Sequence, residues 1–332
     1  MHPILLRIGP FHLGTLTIPA FNVACYGPLI ALGVLVGVFF AVRRAKTVGL
    51  SPDFILDLTF YGVIIGFVGS RVFFILNELR GFVESPWEYI FSRQGYVFFG
   101  GLMSTLVFAI WYVRRKRVEP WQVADVMAPS IAIAHMFGRI GCFFSGCCYG
   151  RLCPTGWEKW GVSFPLLMDP ATGKPSMAFN FAYWDQLEHF PSKFTGVVTG
   201  SLPIFPVQLD EAAANLLIFL GLLWLWRRRR FRGQIFAAYL AAYGTVRFLV
   251  EFLRGDYGEP TFFGLLQRGQ MSQILCLTAV AAGVAIWWLR RATPLEAPAA
   301  NLQPTAGPSA DHDSPADAPK TKNHRHRHRN NR

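Results

Sequence analysis

The sequence predicts an all-α polytopic membrane protein with about seven transmembrane helices and a periplasmic head region. Three observations support this prediction. The 332 residues are 52% hydrophobic and only 16% charged, whereas charged residues make up about a quarter of a soluble protein. Apolar runs of about 20 residues, the length that crosses a bilayer core, recur along the chain. Clusters of Lys and Arg follow alternate runs, which is typical of loops that stay in the cytoplasm.

Seven apolar runs are the predicted spans. They cover residues 21–42, 54–76, 95–113, 123–145, 207–226, 234–253 and 270–289. Basic clusters follow the first, third, fifth and seventh run, at residues 43–46, 114–117, 227–232 and 290–291. Because cytoplasmic loops carry the excess of Lys and Arg, we expect a periplasmic N-terminus and a cytoplasmic C-terminus. No cleavable signal peptide is expected, so the first run is predicted to stay in the membrane.

The net charge of +12 does not predict a nucleic-acid partner, because most of the Lys and Arg lie at the ends of apolar runs. We expect one membrane domain over residues 1–292. Within it, residues 151–205 form a loop whose Trp and Phe residues favour the membrane surface. From Thr293 onward the composition is too polar to form a core, which predicts a disordered cytoplasmic tail over 293–332. Alternating His and Arg at its end leave binding of metal or anionic lipid as a second interpretation.

Ionisable side chains inside membrane spans are costly to bury and are therefore candidates for function. Arg71 lies late in the second run, and Arg139 lies near the outer end of the fourth, one turn after His135. Arg247 and Glu251 lie one turn apart in the sixth run and share a helix face. Two arginines in the outer half of the membrane suit a lipid phosphate, because guanidinium groups form paired hydrogen bonds with phosphate oxygens. The alternative is structural: an Arg247–Glu251 ion pair, with Arg139 bound to backbone carbonyls.

A segment rich in glycine and cysteine ends the fourth run. Its cysteines lie within twelve residues and are Cys142, Cys147, Cys148 and Cys153. Outside the cytoplasm thiols tend to be oxidised, so this cluster is a candidate for a disulfide whose pairing the sequence leaves open. The spacing matches no standard zinc pattern, which disfavours a metal site.

These motifs resemble those of the prolipoprotein diacylglyceryl transferase family. Residues 138–141, Phe143 and Gly150 match one family signature in register, and the stretch from Tyr243 to Arg254 is similar to a second. Further matching positions lie in the other runs: Tyr26, Gly27, Gly69, Arg71, Gly100, Gly101, Pro206, Gln208, Leu209, Glu211, Gly269, Gln270 and Ser272. The resemblance extends in order over roughly residues 8–289.

The resemblance implies a seven-span bundle in the inner membrane of a bacterium. It also implies a reaction that moves a diacylglyceryl group from phosphatidylglycerol to the lipobox cysteine of a preprolipoprotein signal peptide, with glycerol phosphate as the leaving group. The expected partners are therefore phosphatidylglycerol, the preprolipoprotein and membrane lipid. No nucleic acid, cofactor or metal is expected.

The resemblance also assigns roles to the buried polar residues. Arg139 and Arg247 form a cationic cradle for the phosphate. Tyr26 binds near the lipid head group, and Glu251 orients Arg247. His135 is a further candidate for a catalytic residue. Besides the two arginines, the expected substrate-binding positions are Gly100, Gly101, Gly141, Gly150, Gln208 and Arg71.

Three positions depart from the family pattern. Phe99 occupies the place of the usual His before the paired glycines of the third run, and Cys142 and Cys147 replace an Asn and a Glu of the signature. The base for the acceptor thiol is thus missing, and its candidate replacements are Tyr26, His135, Glu251 and a thiolate of the cysteine cluster. Three functions stay open: a transferase with a rearranged base, a divergent paralogue with another lipid or acceptor, and a non-catalytic lipid-binding, redox or metal-binding protein.

Overall fold

The computed structural model describes residues 4–8, 11–13, 16–18, 21–91, 95–168, 180–194, 199–255, 268–293 and 295. Ten α-helices lie within these residues: α1 (Tyr26–Thr47), α2 (Pro52–Asn77), α3 (Leu79–Glu84), α4 (Pro86–Phe91), α5 (Phe98–Arg115), α6 (Pro120–Ser145), α7 (Phe181–His189), α8 (Val207–Trp226), α9 (Gln234–Glu251) and α10 (Arg268–Arg290). The predicted tail over 293–332 lies outside the described residues, apart from 293 and 295.

Two short antiparallel strand pairs precede α1. Strand β1 (Ile4–Ile8) pairs with β4 (Phe21–Ala24), and β2 (Phe11–Leu13) pairs with β3 (Leu16–Ile18). The first predicted span therefore started too early. Its opening residues form β4, and the helix begins at Tyr26.

Five described helices are long and apolar enough to cross a membrane: α1, α2, α6, α8 and residues 269–290 of α10. This finding confirms an all-α, multi-pass membrane protein. Helices α5 and α9 correspond to the third and sixth predicted runs and are both 18 residues long. They lie outside this group of five, because α5 ends in two arginines and α9 carries Arg247 and Glu251. That these two helices also span the membrane stays a prediction.

The outward surfaces of the long helices are apolar. Large exposed side chains include Leu35, Phe60, Phe67, Val107, Leu217 and Trp288. An apolar surface of this extent is unusual on a soluble protein, but it is what lipid chains contact on a membrane protein.

Helix α6 lies at the centre of the bundle, because it contributes to both large hydrophobic clusters. In the first cluster, Val123 and Val126 pack with residues of α1, α2 and α5. In the second, Ala128, Ala132 and Ile133 pack with α8 and α9. Any functional group on α6 is therefore held against several neighbouring helices.

Buried polar contacts fix α9 and α1 against α6. The Asp125 carboxylate of α6 accepts hydrogen bonds from the backbone N–H groups of Gly233 (2.7 Å) and Phe236 (2.9 Å), at the start of α9. These are N–H groups that a helix cannot satisfy internally. On the opposite side, Arg44 of α1 donates to the Ser130 hydroxyl at 2.6 Å.

The described part of residues 151–205, here called the head segment, has a small core of its own. Phe164, Ala182 and Ile204 cluster there with Tyr149, whose hydroxyl donates to Asp185 at 2.5 Å. Phe164 is thus buried in this core, whereas Trp157 and Trp160 are exposed. The location of the head segment at the membrane surface stays a prediction that the two exposed tryptophans favour.

Replacing Asp125 by Ala is expected to lower the free energy of unfolding by about 1–3 kcal/mol, because two buried N–H groups lose their acceptor. Thermal unfolding in detergent measures the change as a lower Tm. Glu84→Ala, which removes an exposed carboxylate, is the control and should leave the Tm unchanged. Equal Tm values for the two variants would show that the Asp125 cap contributes nothing.

Candidate functional site

Arg139 of α6 and Arg247 of α9 converge on one carboxylate, that of Glu211 in α8. Arg139 Nε forms an ion pair with Glu211 Oε2, and Arg247 Nη1 lies 3.7 Å from Glu211 Oε1. Arg247 Nη1 also lies 2.5 Å from Glu251 Oε2, one turn further along α9. The exposed fraction of these side chains is 19% for Arg139, 14% for Arg247, 10% for Glu251 and 4% for Glu211. We call these four residues the arginine site.

The contacts of the arginine site agree only in part with the structural alternative, in which Arg247 pairs with Glu251 and Arg139 binds backbone carbonyls. The Arg247–Glu251 ion pair is present, but Arg139 is paired with a carboxylate instead of backbone carbonyls. Glu211 was not among the predicted site residues. The signal that could have identified it is an acidic residue in the first turns of an apolar run, since such a residue needs a partner once it is buried.

Several polar atoms of the arginine site lack a well-aligned hydrogen bond. Arg247 Nη1, Glu211 Oε1 and Glu251 Oε2 are buried, and each has no hydrogen-bond partner of good geometry among the described residues. Their close contacts are therefore ion pairs without the alignment that makes a charge-assisted hydrogen bond strong. Buried polar atoms in this condition are rare in folded proteins and mark a place where a ligand can supply partners.

Tyr26 and His135 flank Arg139. The Tyr26 ring lies against Gly141, where a Cβ atom would come within 3.0 Å of Tyr26 Cδ2, so a larger residue at 141 would displace the ring. His135 Nδ1 lies 3.2 Å from the Tyr239 hydroxyl, and its ring packs against Tyr243 at 5.0 Å between centroids. His135 is therefore held inside the bundle by two tyrosines of α9.

Arg71 and the paired glycines occupy a different place, the contact between α2 and α5. Arg71 donates to the carbonyl oxygens of Gly95, at 2.9 Å, and Tyr89. Gly100 packs on Phe73, and Gly101 packs on the backbone of Gly66, where a Cβ atom would come within 2.9 Å of the oxygen. Helix packing thus explains the two glycines, whereas Arg71 ties α2 to the backbone of the segment before α5. Their role in substrate binding stays a prediction.

Gln208 and Gly150 hold the segment that follows α6. Gln208 is fully buried and donates from Nε2 to the Cys147 carbonyl at 2.8 Å. Gly150 N–H donates to the Phe205 carbonyl at 3.1 Å, and any Cβ at 150 would collide with Val207. These two hydrogen bonds thus connect the segment after α6 to the start of α8.

Three cysteines meet where α6 ends. Gly146 adopts a left-handed conformation (φ 69°) that turns the chain back, and Cys147 N–H donates to the Cys142 carbonyl at 3.2 Å. Cys148 is also left-handed, with φ 56°. The Sγ atoms of Cys142, Cys147 and Cys148 lie within 4.8 Å of one another, and we call these residues the thiol cluster. No disulfide joins the described cysteines, all six of which are free thiols, so the structure contains none of the disulfides for which this cluster was a candidate.

The thiol cluster shares its protons unequally. Hydrogen bonds from the thiols of Cys142 and Cys147 hold the pKa of Cys148 well below its usual range, and the charges of Arg254 and Arg139 act in the same direction. Hydrogen bonds to Cys142 and Cys148 raise the pKa of Cys147. The cluster therefore stabilises negative charge on sulfur next to Arg139.

Comparison with known proteins gives these features a context. A sequence model of the prolipoprotein diacylglyceryl transferase family matches residues 14–289. This chain belongs to the prolipoprotein diacylglyceryl transferase family.

Its relatives include three bacterial proteins, each named phosphatidylglycerol–prolipoprotein diacylglyceryl transferase. The protein from Clostridium tetani is 29% identical over 266 residues, which cover 80% of this chain and 92% of the relative. The protein from Xylella fastidiosa strain M12 is 32% identical over 278 residues, covering 80% and 85%. The protein from Paracidovorax citrulli is 34% identical over 243 residues, covering 71% and 76%.

Phe99, which the family resemblance placed where a histidine is expected, lies at the start of α5. Phe99 is about half exposed and contacts Phe98 edge to face, with ring centroids 5.8 Å apart. A phenyl ring cannot accept a proton, so position 99 offers no base. Any proton acceptor for the reaction has to come from elsewhere.

Glu211→Gln is expected to lower the free energy of unfolding by about 3–5 kcal/mol, because it leaves buried guanidinium groups without a full counter-charge. The measurement is thermal unfolding in detergent, supported by trypsin sensitivity. Asp210→Asn is the matched control, since Asp210 is the exposed neighbour on the same helix. A Glu211→Gln protein as stable as the control would contradict a bridging role for this carboxylate.

Proposed function

We propose that this chain moves a diacylglyceryl group from phosphatidylglycerol to the lipobox cysteine thiol of a preprolipoprotein. The observation that carries the proposal is the convergence of Arg139 and Arg247, from two different helices, on the single buried carboxylate of Glu211. A protein whose only task was structural would have no need of two guanidinium groups at one point of an apolar bundle. The names of the relatives supply the substrates.

The arginine site suits the leaving group of this reaction. When the bond between the diacylglyceryl carbon and the phosphate oxygen breaks, negative charge grows on glycerol phosphate. Preorganised guanidinium donors in a buried site stabilise such charge strongly. Glu211 and Glu251 hold the two arginines in place, and a phosphate supplies the aligned acceptors that these ion pairs lack. Tyr26, whose ring packs against Gly141 two residues after Arg139, is the proposed contact for the lipid head group.

The acceptor peptide needs a different surface. The head segment displays Trp157 and Trp160, whose side chains are suited to the membrane interface where a signal peptide lies. Its described part is anchored to the end of α6 through Tyr149 and the Tyr149–Asp185 hydrogen bond. This anchoring supports a role in admitting the lipobox next to the arginine site.

A divergent paralogue that uses another lipid or acceptor is the second candidate function. Phe99 favours it, because the group that usually serves as the base is missing. The presence of the arginine site suits this alternative equally well, since any phospholipid donor carries a phosphate. The two candidates differ only in the product that they form.

We expect an inner-membrane location with a periplasmic N-terminus and a cytoplasmic C-terminus, because basic residues end α1, α5 and α10. Green fluorescent protein fused after Arg332 should fluoresce, and alkaline phosphatase fused there should be inactive. Both results should reverse for fusions within the head segment. Active phosphatase at Arg332 would show the opposite orientation, in which the arginine site lies on the cytoplasmic side.

Arg139→Gln and Arg247→Gln are each expected to lower the transferase rate by about 100-fold or more, because each removes a donor from the developing negative charge. The assay uses purified protein, phosphatidylglycerol and a lipobox peptide, with the thioether product and the released glycerol phosphate measured by mass spectrometry. Arg228→Gln is the control, because Arg228 is exposed at the other end of α8 and stacks on Trp224.

Complementation gives the same test in cells. The chain and its variants are expressed in a bacterium depleted of its own diacylglyceryl transferase, with membrane levels checked by immunoblot. Lipidation restored by the chain and by Arg228→Gln, but by neither arginine-site variant, supports the proposal. A folded chain that releases no glycerol phosphate from phosphatidylglycerol in vitro contradicts it and favours the paralogue.

A further inference from the structure

The thiol cluster is the feature that the arginine site does not explain. Cys142, Cys147 and Cys148 bring three sulfur atoms within 4.8 Å of one another. Three sulfurs around one tetrahedral Zn²⁺, with Zn–S bonds of about 2.3 Å, are about 3.8 Å apart. Small side-chain rotations therefore suffice to place all three on one ion.

The backbone that presents these thiols is tightly fixed. Gly146 makes the left-handed turn, Gln208 binds the Cys147 carbonyl, and Tyr149 accepts a hydrogen bond from Gly255 N–H at 3.1 Å. Cys148 itself adopts a left-handed conformation that a residue with a Cβ atom rarely takes. Backbone strain of this kind persists where the surrounding structure enforces it, and it is frequent at functional sites.

The three thiols indicate which ion the cluster would bind and whether the ion would be structural or catalytic. Thiolates prefer soft or borderline ions such as Zn²⁺. Structural zinc sites have four protein ligands, whereas catalytic zinc sites have three and keep a fourth position open. The cluster has three. Cys153 lies outside it, against Gly161.

The charge around the cluster suits three thiolates. Three thiolates and one Zn²⁺ carry a net charge of −1, and a fourth thiolate makes it −2. Arg254 and Arg139 both lie close enough to Cys148 to interact electrostatically with its sulfur. Arg254 is fixed there by the bridge between residues 150 and 254. These cations compensate charge that would otherwise be buried.

We propose that Cys142, Cys147 and Cys148 bind one Zn²⁺ ion and that the acceptor thiol of the transfer reaction occupies its fourth position. This inference rests on the proposed transferase function and supplies the thiolate that position 99 no longer helps to form. A thiol that binds a zinc ion loses its proton, so the protein needs no separate strong base. Cys142 follows Arg139 by three residues on α6, which places the bound thiolate beside the phosphate cradle.

The chemistry balances without redox change. The acceptor thiol releases its proton to solvent as its sulfur binds the zinc ion. That sulfur then attacks the diacylglyceryl carbon that is bonded to the phosphate oxygen. An S–C bond forms as this C–O bond breaks. Its electron pair leaves with glycerol phosphate, which Arg139 and Arg247 hold. The thioether product is a weak ligand and leaves the metal.

The first test is the metal content of the full-length chain, purified in detergent without chelators and measured by inductively coupled plasma mass spectrometry. We expect about one zinc per chain, lost in Cys142→Ser, Cys147→Ser and Cys148→Ser. Cys153→Ser is the matched control and should keep its zinc. Replacing His324, His326 and His328 by Gln tests whether the tail contributes bound metal, and this variant should also keep one zinc. Thermal unfolding shows whether each variant is folded.

The second test uses Co²⁺ in place of zinc, which gives thiolate-to-cobalt absorption in the ultraviolet. A lipobox peptide should change the visible cobalt bands, and the same peptide with Ser at the lipobox position should not. In the transfer assay, a zinc chelator should lower the rate by about 100-fold, the scale of a lost base, and added Zn²⁺ should restore it.

The outcomes separate this inference from the proposed function. A chain that transfers diacylglyceryl groups at full rate without metal overturns the zinc site and leaves the transferase intact. So does a disulfide within the cluster, or stoichiometric copper in place of zinc, in the active protein. Zinc bound by the three cysteines, with a cobalt spectrum that responds to the peptide thiol, supports the site even if the lipid donor is not phosphatidylglycerol.

Discussion

The bridge formed by Glu211 between Arg139 and Arg247 is the interaction on which the arrangement of this bundle depends. Two guanidinium groups among apolar helices have a large desolvation cost, which a counter-charge has to offset. The Glu211 carboxylate does this for both groups at once, so α6, α8 and α9 have to meet at one level of the bundle. Removing either arginine would leave the carboxylates of Glu211 and Glu251 with a single guanidinium group between them. The same bridge keeps both side chains pointing to one place, which is what recognition of a phosphate requires.

Contacts at other levels reinforce the same three helices. Asp125 of α6 binds the N–H groups that begin α9, and Gln208 of α8 binds the carbonyl of Cys147 just after α6. These contacts lie at opposite ends of α6, with the arginine site nearer the Gln208 end. Because the hydrophobic effect contributes little between helices in lipid, packing and polar contacts of this kind decide which helices are neighbours. The geometry of the arginine site therefore depends on the contacts that hold α6, α8 and α9 together.

Features that depend on local composition could be predicted from the sequence, whereas contacts between residues far apart in the chain could not. Hydropathy gave the long helices to within a few residues, since a membrane span needs a continuous apolar run. It missed β4, because a strand next to a span is also apolar. The spacing placed Arg247 and Glu251 on one helix face. It did not indicate the pairing of Arg139 with Glu211, because Glu211 lies 72 residues later in a different helix and only the fold brings α8 beside α6. The sequence grouped four cysteines but did not indicate which three converge, because that depends on the left-handed turn at Gly146 and Cys148, which spacing does not reveal.

The components of the site are far apart in the chain, which determines how it can change. Glu211 follows Arg139 by 72 residues and Arg247 follows Glu211 by 36, so the arginine site is a property of three helices together. Position 99 belongs to a fourth helix, α5, whose main partner is α2, and its side chain can be replaced without disturbing the ion pairs. The thiol cluster lies at the end of α6, where Cys142 is three residues from Arg139 and Cys147 and Cys148 follow the helix. A thiolate held there would depend on the same helix as Arg139, one of the two arginines of the proposed phosphate cradle. A proton acceptor on α5 would have to be aligned across a helix interface. In the proposed zinc site, formation of the thiolate would therefore depend on the end of α6, whereas a base at position 99 would act from α5.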